Sequence, residues 1–323
     1  MNYIIFDLEW NQSPSGKGQE NKDLPFEIIE IGAVKLDDSF NVTGRFHEIV
    51  APVVYNELHY ITRDLIMLSM EDLKKGKPFK QVAEDFLKWC EEGGEYIFGT
   101  WGSMDLTELQ RNCKYFNIEY NFPKPFIYYD IQKLYSRCFS DGKQRVSLET
   151  AVTEQMLEKD IPFHSAFDDA IYTARILQKI NFEKVRVYSS VDTFIIPKNR
   201  KEEFTLNYGE YTKYVSRGFA DKDDALKDGV VLSTPCVECG KNCRKKIRWF
   251  ATNQKMYYCL AYCDAHGLMK GKLKIRKTMD EKCYVVRIIK AASREDAAAI
   301  KQKQVQERIK RRKRRQREKQ SDV

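Results

Sequence analysis

The stretch YIIFDLEW at residues 3–10 places two acids, Asp7 and Glu9, inside an otherwise apolar run. A β-strand directs residues i and i+2 to the same face, so the two carboxylates are predicted to lie side by side. Burying two like charges together is costly unless something positive holds them. If this run is a strand, the rest of the chain has to help bind a cation at Asp7 and Glu9.

The composition predicts two domains and a tail without a membrane segment. The chain has 323 residues, of which 42% are hydrophobic and 12% aromatic, enough for a large core. It contains no run of about 18 apolar residues, so no transmembrane helix is predicted. Its first residues lack the basic region of a signal peptide. We therefore expect a cytoplasmic protein with no membrane partner.

The positive charge of the chain is concentrated in its last residues. The net charge is +8, and residues 301–323 alone carry 11 Lys or Arg and 3 Asp or Glu. The other 300 residues contain 44 basic and 44 acidic residues, so they balance. A basic tail on a neutral body favours an anionic partner bound by the tail.

The order of predicted elements divides the chain into four parts. Residues 1–182 begin with three strand-like segments and continue with helices and short strands, which is typical of one mixed sheet flanked by helices. Residues 183–235 are predicted to be a connecting segment, and residues 236–290 a cysteine-rich module. Residues 291–323 are predicted to form either an exposed basic helix or a disordered tail. The expected fold class is α/β with a small appended module.

Two further places in the first domain offer acids at the ends of elements. In GTWGSMDL, Asp105 follows a predicted strand and begins a helix, and in PFHSAFDDA, His164 precedes the acids Asp168 and Asp169. Clustered carboxylates bind hard divalent cations such as Mg²⁺ or Mn²⁺. Two such ions about 3.5–4 Å apart stabilise the attacking and leaving oxygens of a phosphodiester displacement. This cluster would explain how Asp7 and Glu9 share one face.

These motifs resemble the DEDDh branch of 3′→5′ exonucleases, which includes RNase T, oligoribonuclease and the proofreading subunit of bacterial DNA polymerase III. The resemblance covers roughly residues 1–182 and implies an RNase H-like fold. Asp7 and Glu9 match the first motif, Asp105 the second, and His164 with Asp169 the third. The resemblance implies that the four acids hold two Mg²⁺ or Mn²⁺ ions and that His164 is the general base.

The choice of Asp169 over Asp168 rests on this resemblance, because the family spaces its His and Asp five residues apart. Residues five apart lie about 140° apart around a helix. His164 is therefore expected in the loop before the helix, where Pro162 disfavours helical geometry. Asp168 stays the alternative if the helix begins early.

The substrate expectation also comes from the resemblance. WGSMD and HSAFDDAIYTARI are similar to the Eri-type exonucleases, which trim structured or small RNAs. This implies hydrolysis of single-stranded 3′ ends, of RNA rather than DNA, with release of nucleoside 5′-monophosphates. Trp10 stands where the family often has Thr, and it is a candidate to stack on the terminal base. Relatives often dimerise, so a homodimer is compatible with the resemblance.

Five cysteines within 28 residues indicate a second metal site. The pairs Cys236-x-x-Cys239 and Cys263-x-x-His266 have the same spacing and predict one structural Zn²⁺ with four protein ligands, similar to a zinc ribbon. The alternative ligands are Cys259 and Cys243.

Basic residues alternate with aromatic or aliphatic residues in and after the cysteine-rich stretch. Residues 240–258 and 270–277 show this pattern, and such surfaces contact phosphates and stack on bases. The alternative hypothesis is therefore a non-catalytic nucleic-acid-binding adaptor that uses the zinc module and the basic tail.

Overall fold

The computed structural model describes residues 1–16, 18–278 and 280–321. Residues 322 and 323 of the predicted basic tail lie outside this range, and the side chains at 315 and 317–321 are likewise not described. The chain divides into two compact units, Met1–Phe194 and Ile195–Val323.

The first unit contains seven strands and eight α-helices within its described residues. The strands are β1 (Asn2–Asn11), β2 (Glu27–Leu36), β3 (Val42–Ala51), β4 (Lys77–Pro78), β5 (Tyr96–Thr100), β6 (Ile127–Asp130) and β7 (Ser190–Val191). The helices are α1 (Tyr60–Leu65), α2 (Met70–Leu73), α3 (Phe79–Glu91), α4 (Met104–Tyr115), α5 (Ile131–Phe139), α6 (Leu148–Glu154), α7 (Ala166–Lys179) and α8 (Phe182–Val185).

The seven strands form one mixed sheet in the order β4-β3-β2-β1-β5-β6-β7. β1 is antiparallel to β2 and parallel to β5, so it has a hydrogen-bonded neighbour on each side. This is the mixed sheet flanked by helices that the sequence predicts, and the fold class is confirmed. The quoted run at residues 3–10 is a strand near the middle of the sheet.

The side chains of β1 alternate between two apolar layers. Ile4, Phe6 and Leu8 pack with α3 and α4. Ile5 packs on the other face with residues of α5, α6 and α7. Since alternate residues share a face, Asp7 lies on the side of the sheet that α7 covers.

The second unit is built on a six-stranded antiparallel sheet in the order β10-β11-β12-β13-β9-β8. Its strands are β8 (Phe204–Asn207), β9 (Tyr211–Val215), β10 (Arg244–Ala251), β11 (Met256–Cys263), β12 (Gly267–Lys277) and β13 (Cys283–Ala291). Its helices are α9 (Lys222–Lys227) and α10 (Arg294–Ser321). β8 and β9 lie in the range predicted as a connecting segment, and β9 pairs with β13 of the cysteine-rich module. The predicted four-part division stays a prediction.

The basic C-terminal segment is helical through Ser321 and packs on the sheet of the second unit. Asp296 forms an ion pair with Lys270 of β12, and Ile300 is buried. Farther along, Arg311 donates a hydrogen bond to the carbonyl oxygen of Ala251. Of the two predicted states of this segment, the structure has the helix. No helix of the described chain has both the length and the apolar composition that a membrane span requires.

Candidate active site and metal centre

Three acids converge where β1 passes beneath the start of α7. One carboxylate oxygen from each of Asp7, Glu9 and Asp169 lies within 4.8 Å of the others. Asp7 and Glu9 come from alternate positions of β1, and Asp169 comes from the first turn of α7. The structure therefore brings together three of the four predicted metal-binding acids in one tight group.

A glycine on β2 allows α7 to approach this closely. Gly32 is the cross-strand partner of Asp7 and lies on the same face of the sheet. A Cβ atom on Gly32 would lie 2.1 Å from the backbone nitrogen of Phe167. Real Cβ atoms do not come so near a backbone atom, so only glycine fits here. The contact places Asp169, two residues after Phe167, opposite the acids of β1.

The fourth acid, Asp105, lies on α4, in the helix layer on the opposite face of the sheet from α7. It lies in the first turn of α4, just after β5 ends, and its side chain is buried. The backbone N–H of Leu8 on β1 donates a hydrogen bond to its carboxylate. β1 and β5 are parallel, and ligands of open sheets bind beyond the carboxyl ends of parallel strands.

The four acids all have raised pKa values. Burial is the largest cause at each of them, and the charges of the neighbouring acids add to it. The pKa of Glu9 rises to about 8, and those of Asp105 and Asp169 rise to about 7. The pKa of Asp7 is raised well above its usual range. Such a group favours a bound cation, since a cation would offset the repulsion.

An unpartnered oxygen supports a metal at this place. Oδ1 of Asp169 is buried and has no hydrogen-bond partner in the structure. A buried acceptor without a donor is costly, and a ligated ion would satisfy it. Carboxylate oxygens are also the ligands that Mg²⁺ and Mn²⁺ prefer. The residues present therefore fit divalent cations.

His164 precedes α7 and is exposed to solvent. The helix begins at Ala166 with Ser165 as its N-cap, so His164 lies outside the helix. Its backbone adopts φ of 69°, a left-handed conformation that is uncommon for residues other than glycine. The backbone of His164 hydrogen-bonds to the carboxylate of Asp169. This bond ties the loop that carries the imidazole to the acid cluster.

Asp168, the alternative to Asp169, is partly buried but lies outside the group formed by Asp7, Glu9 and Asp169. Burial and the charge of Glu30 raise its pKa, and the nearby His47 lowers it.

Glu30 is a buried acid beside the site. It is not among the site residues that the sequence motifs predict. It pairs directly with Glu9 across β1 and β2. Its Oε1 lies 2.9 Å from Nε2 of His47 and accepts a 2.9 Å hydrogen bond from the hydroxyl of Ser165. Ser165 is the N-cap of α7, so Glu30 links β2 to the start of that helix. The available signal was an acid inside the apolar run FEIIEIGAVKL, the same signal that marks Asp7.

A cavity of about 540 Å³ opens beside the acids. Trp10, the predicted base-stacking residue, lines it, and its ring packs 5.7 Å from that of Phe26. Several other lining residues were not selected from the sequence. Trp101 lies four positions before Asp105, whereas Asp130, Gln132 and Arg145 lie more than 20 positions from every predicted acid.

The predicted zinc ligands also meet. Ligand atoms of Cys236, Cys239, Cys263 and His266 all lie within 4.8 Å of one another. Nδ1 of His266 lies 3.5 Å from Sγ of Cys236 and 3.6 Å from Sγ of Cys263, and the Sγ atoms of Cys239 and Cys263 are 3.8 Å apart. Zn–S bonds of about 2.3 Å and Zn–N bonds of about 2.0–2.1 Å, arranged as a tetrahedron, give edges of about 3.5–3.8 Å. The donor set fits one tetrahedral ion.

The two alternative ligands lie outside this group. Burial raises the pKa values of Cys243 and Cys259 to about 12, which favours protonated thiols. By contrast, hydrogen bonds from His266 lower the pKa of Cys263 to about 6. Metals bind the thiolate form.

The RNase T exonuclease family model matches residues 4–177, more than half of this chain. The chain belongs to this exonuclease family. It is a DEDDh-type 3′→5′ exonuclease, and the family implies divalent metal ions in its active site. The probable 3′-5′ exonuclease KapD of Bacillus subtilis (strain 168) is 26% identical to the exonuclease over 182 residues. This match covers 56% of the chain and 85% of KapD.

Solved structures similar to the exonuclease include two nucleases. The nuclease domain of 3′hExo, a DEDDh family member bound to rAMP, is 21% identical with a TM-score of 0.49, covering 59% of this chain and 96% of that one. E. coli exonuclease I in complex with a dT13 oligonucleotide is 13% identical with a TM-score of 0.47, covering 80% and 55% of the two chains.

Proposed function

We propose that this exonuclease is metal-dependent and removes nucleotides one at a time from single-stranded 3′ ends of RNA, releasing nucleoside 5′-monophosphates. The observation that carries the proposal is the group formed by Asp7, Glu9 and Asp169, with Asp105 adjacent. Four acids with raised pKa values beside an open cavity form a site built for cations and a phosphodiester.

The acids Asp7, Glu9, Asp105 and Asp169 would hold two Mg²⁺ or Mn²⁺ ions. When bound, such ions stabilise the negative charge that develops on the attacking and leaving oxygens. The chain itself fixes where the carboxylates lie. β1 is held between two strands, and the backbone of α7 rests on Gly32, so the acids need little rearrangement to bind metal.

His164 would act as the general base, taking a proton from the attacking water at an unprotonated ring nitrogen. Histidine is the side chain most often used as a general base in enzymes. The backbone bond between His164 and Asp169 supports this assignment, because it keeps the imidazole-bearing loop next to the acids. Trp10, on the cavity wall, would stack on the terminal base.

The preference for RNA rests on the likeness of WGSMD and HSAFDDAIYTARI to Eri-type enzymes. The cytoplasmic location and a homodimer stay predictions.

In the second unit, Cys236, Cys239, Cys263 and His266 would hold one structural Zn²⁺. The ligand spacing of 3.5–3.8 Å supports zinc as the ion. Four protein ligands leave no open position, so this ion would stabilise the fold and take no part in hydrolysis.

A labelled-strand assay tests the proposal. Single-stranded RNA and DNA of the same sequence, labelled at the 3′ or 5′ end, are incubated with the full chain and Mg²⁺, Mn²⁺ or EDTA. We expect metal-dependent shortening from the 3′ end, faster on RNA, and its loss in Asp7→Asn. Mononucleotide products are identified by chromatography.

Each outcome has a distinct meaning. Equal rates on RNA and DNA would refute the RNA preference alone. Cleavage that persists in Asp7→Asn would refute the site assignment. Intact strands in every metal, from a protein that still binds them, would favour the non-catalytic adaptor.

A further inference from the structure

A row of basic side chains runs along β12 in the second unit. Lys270, Lys272, Lys274 and Arg276 occupy alternate positions and therefore share one face of the sheet. The residues between them point to the opposite face, where Leu273 and Ile275 are buried in a cluster that includes α9 residues. Lys272, Lys274 and Arg276 are exposed.

The middle of this row has no compensating charge. Lys270 at one end of the row pairs with Asp296. Among the residues that the structure describes, no carboxylate lies within 4.0 Å of the charged groups of Lys272, Lys274 or Arg276. Like charges on neighbouring positions of a sheet are destabilising. The row therefore carries repulsion that an anion would relieve.

The effect of this repulsion is visible at Lys274. Its pKa is lowered, chiefly by the charge of Arg276, with smaller contributions from burial, Lys272 and Lys255. Lys255 lies in the turn between β10 and β11 and is exposed. The positive field at Lys274 thus comes from two elements of the unit.

Helix α10 adds a cation on the same face. Tyr258 of β11 is the cross-strand partner of Lys272. Nζ of Lys303, on α10, lies 4.5 Å from the centre of the Tyr258 ring. Lys303 is exposed. We name Lys255, Lys272, Lys274, Arg276 and Lys303 together the basic face.

The spacing of the row suits a nucleic-acid backbone. Alternate residues of an antiparallel strand lie about 6.8 Å apart, so Lys272 and Arg276 are separated by about 14 Å. Successive phosphates of an extended strand are separated by a distance comparable to one such step. Lys ammonium groups bind phosphates as point charges without reading the base sequence.

We propose that the basic face binds the phosphate backbone of the single-stranded nucleic acid whose 3′ end the exonuclease shortens. This inference rests on the proposed function, because that function makes a single strand the polyanion at hand. An acidic polypeptide is the competing occupant, and its binding is measured in the test.

Binding of a labelled single-stranded oligonucleotide to the full chain tests the proposal. The Asp7→Asn variant is used without added Mg²⁺ or Mn²⁺, so that the strand stays intact and the second unit keeps its proposed zinc, and fluorescence anisotropy is followed from 50 to 300 mM salt. The test variant adds Lys272→Gln and Lys274→Gln. The matched control adds Lys222→Gln and Lys227→Gln, which remove the same charge from α9 on the opposite face.

We expect the test variant to flatten the salt dependence and the control to leave it unchanged. Each phosphate contact contributes a slope of about −0.7 to log K against log salt for single strands, so two lost contacts change the slope by about 1.4 and weaken binding more than tenfold at 0.1 M salt. Lys272→Arg with Lys274→Arg should retain the slope, which excludes misfolding as the cause.

Test and control variants with equal affinity would overturn the proposal. If the test variant lost affinity for poly-glutamate to the same extent as for the oligonucleotide, the assignment to nucleic acid would be overturned. Failure of the two proposals is distinguishable. If the parent chain shortens the strand but the test variant binds it as well as the Asp7→Asn protein does, the basic face alone is refuted. Binding that depends on the face without any shortening refutes the proposed function alone.

Discussion

The backbone nitrogen of Phe167 lies 2.1 Å from the position that a Cβ atom would take on Gly32. This contact sets the distance between α7 and the sheet at the point where Asp169 faces Asp7. The active-site geometry therefore depends on a residue that carries no functional group.

Replacing Gly32 by alanine should impair both folding and catalysis. The added methyl group must displace the start of α7, and overpacking of this kind costs about 1–3 kcal/mol. A displacement of about 1 Å in a catalytic group can lower the rate about a hundredfold. Thermal unfolding and the shortening rate measure the two effects.

Gly18→Ala is the control for this variant, since its Cβ would meet no atom within 4 Å. It should match the parent protein in both measurements. A Gly32→Ala protein with parental activity would show that α7 does not set the position of Asp169.

His164→Asn should remove the proposed general base while keeping the local backbone. Asparagine tolerates the left-handed conformation seen at His164. Loss of a general base lowers the rate about 10²–10⁴-fold, which single-turnover kinetics with saturating metal would show.

Asp168→Asn tests the neighbouring alternative. Asp168 lies outside the group of Asp7, Glu9 and Asp169, so this variant should retain most activity. A loss as large as that of Asp169→Asn would mean that both acids serve the metals.

The metal-free protein should lose stability as the pH rises. The folded-state pKa values of Glu9, Asp105 and Asp169 are raised to about 7 or 8, whereas unfolded acids titrate near 4. Their protonated forms are therefore favoured by folding. The associated stability is complete below about pH 4 and is lost progressively up to about pH 8.

Melting temperatures without added Mg²⁺ or Mn²⁺ from pH 5.5 to 8.5 measure this loss, whereas EDTA would also remove the proposed zinc of the second unit. Mn²⁺ should restore stability most at the high end, where the carboxylates are ionised. The Asp105→Asn variant should give a flatter profile without added Mn²⁺. Identical profiles with and without Mn²⁺ would argue against metal at these acids.

Cys263→Ser should release the proposed zinc ion and destabilise the second unit. Structural zinc contributes directly to folding. Metal analysis should find about one zinc per parent chain and little in the variant. Cys243→Ser, outside the group of four ligands, should keep its zinc. Loss of zinc from the Cys243→Ser protein, but not from the Cys263→Ser protein, would mean that Cys243 is the ligand in place of Cys263.

Removing residues 312–323 should weaken nucleic-acid binding without unfolding the second unit. The deleted segment contains six basic and two acidic residues, and the packing contacts of α10 at Asp296, Ile300 and Arg311 are retained. Affinity should fall most at low salt. An unchanged salt slope with parental melting temperature would exclude this segment from binding.

The sequence was sufficient to place Asp7 and Glu9 side by side on a buried strand, because an apolar run constrains charged residues strongly. Asp7 and Glu9 stand out in such a run, and the mixed sheet followed from the order of elements. The choice of Asp169 needed the family spacing, because Asp168 and Asp169 both fall in the first turn of α7.

Other features depend on tertiary contacts that leave no local pattern. The close approach at Gly32 joins residues 135 positions apart along the chain, as does the hydrogen bond between Ser165 and Glu30. Likewise, the pairing of β9 with β13 could not be read from the polar segment that contains β9. Nor does composition reveal the left-handed backbone of His164.

The acids on β1, a strand held between β2 and β5, and His164, in an exposed loop, are expected to differ in mobility. Amide hydrogens at the centre of a sheet exchange with solvent only when most of the domain opens, whereas those of exposed loops exchange through local fluctuations. Deuterium should therefore enter the backbone around Asp7 orders of magnitude more slowly than the backbone around His164. Asp7 and Glu9 would thus form a fixed template for the proposed metals, while the loop that carries His164 fluctuates beside them on a shorter timescale.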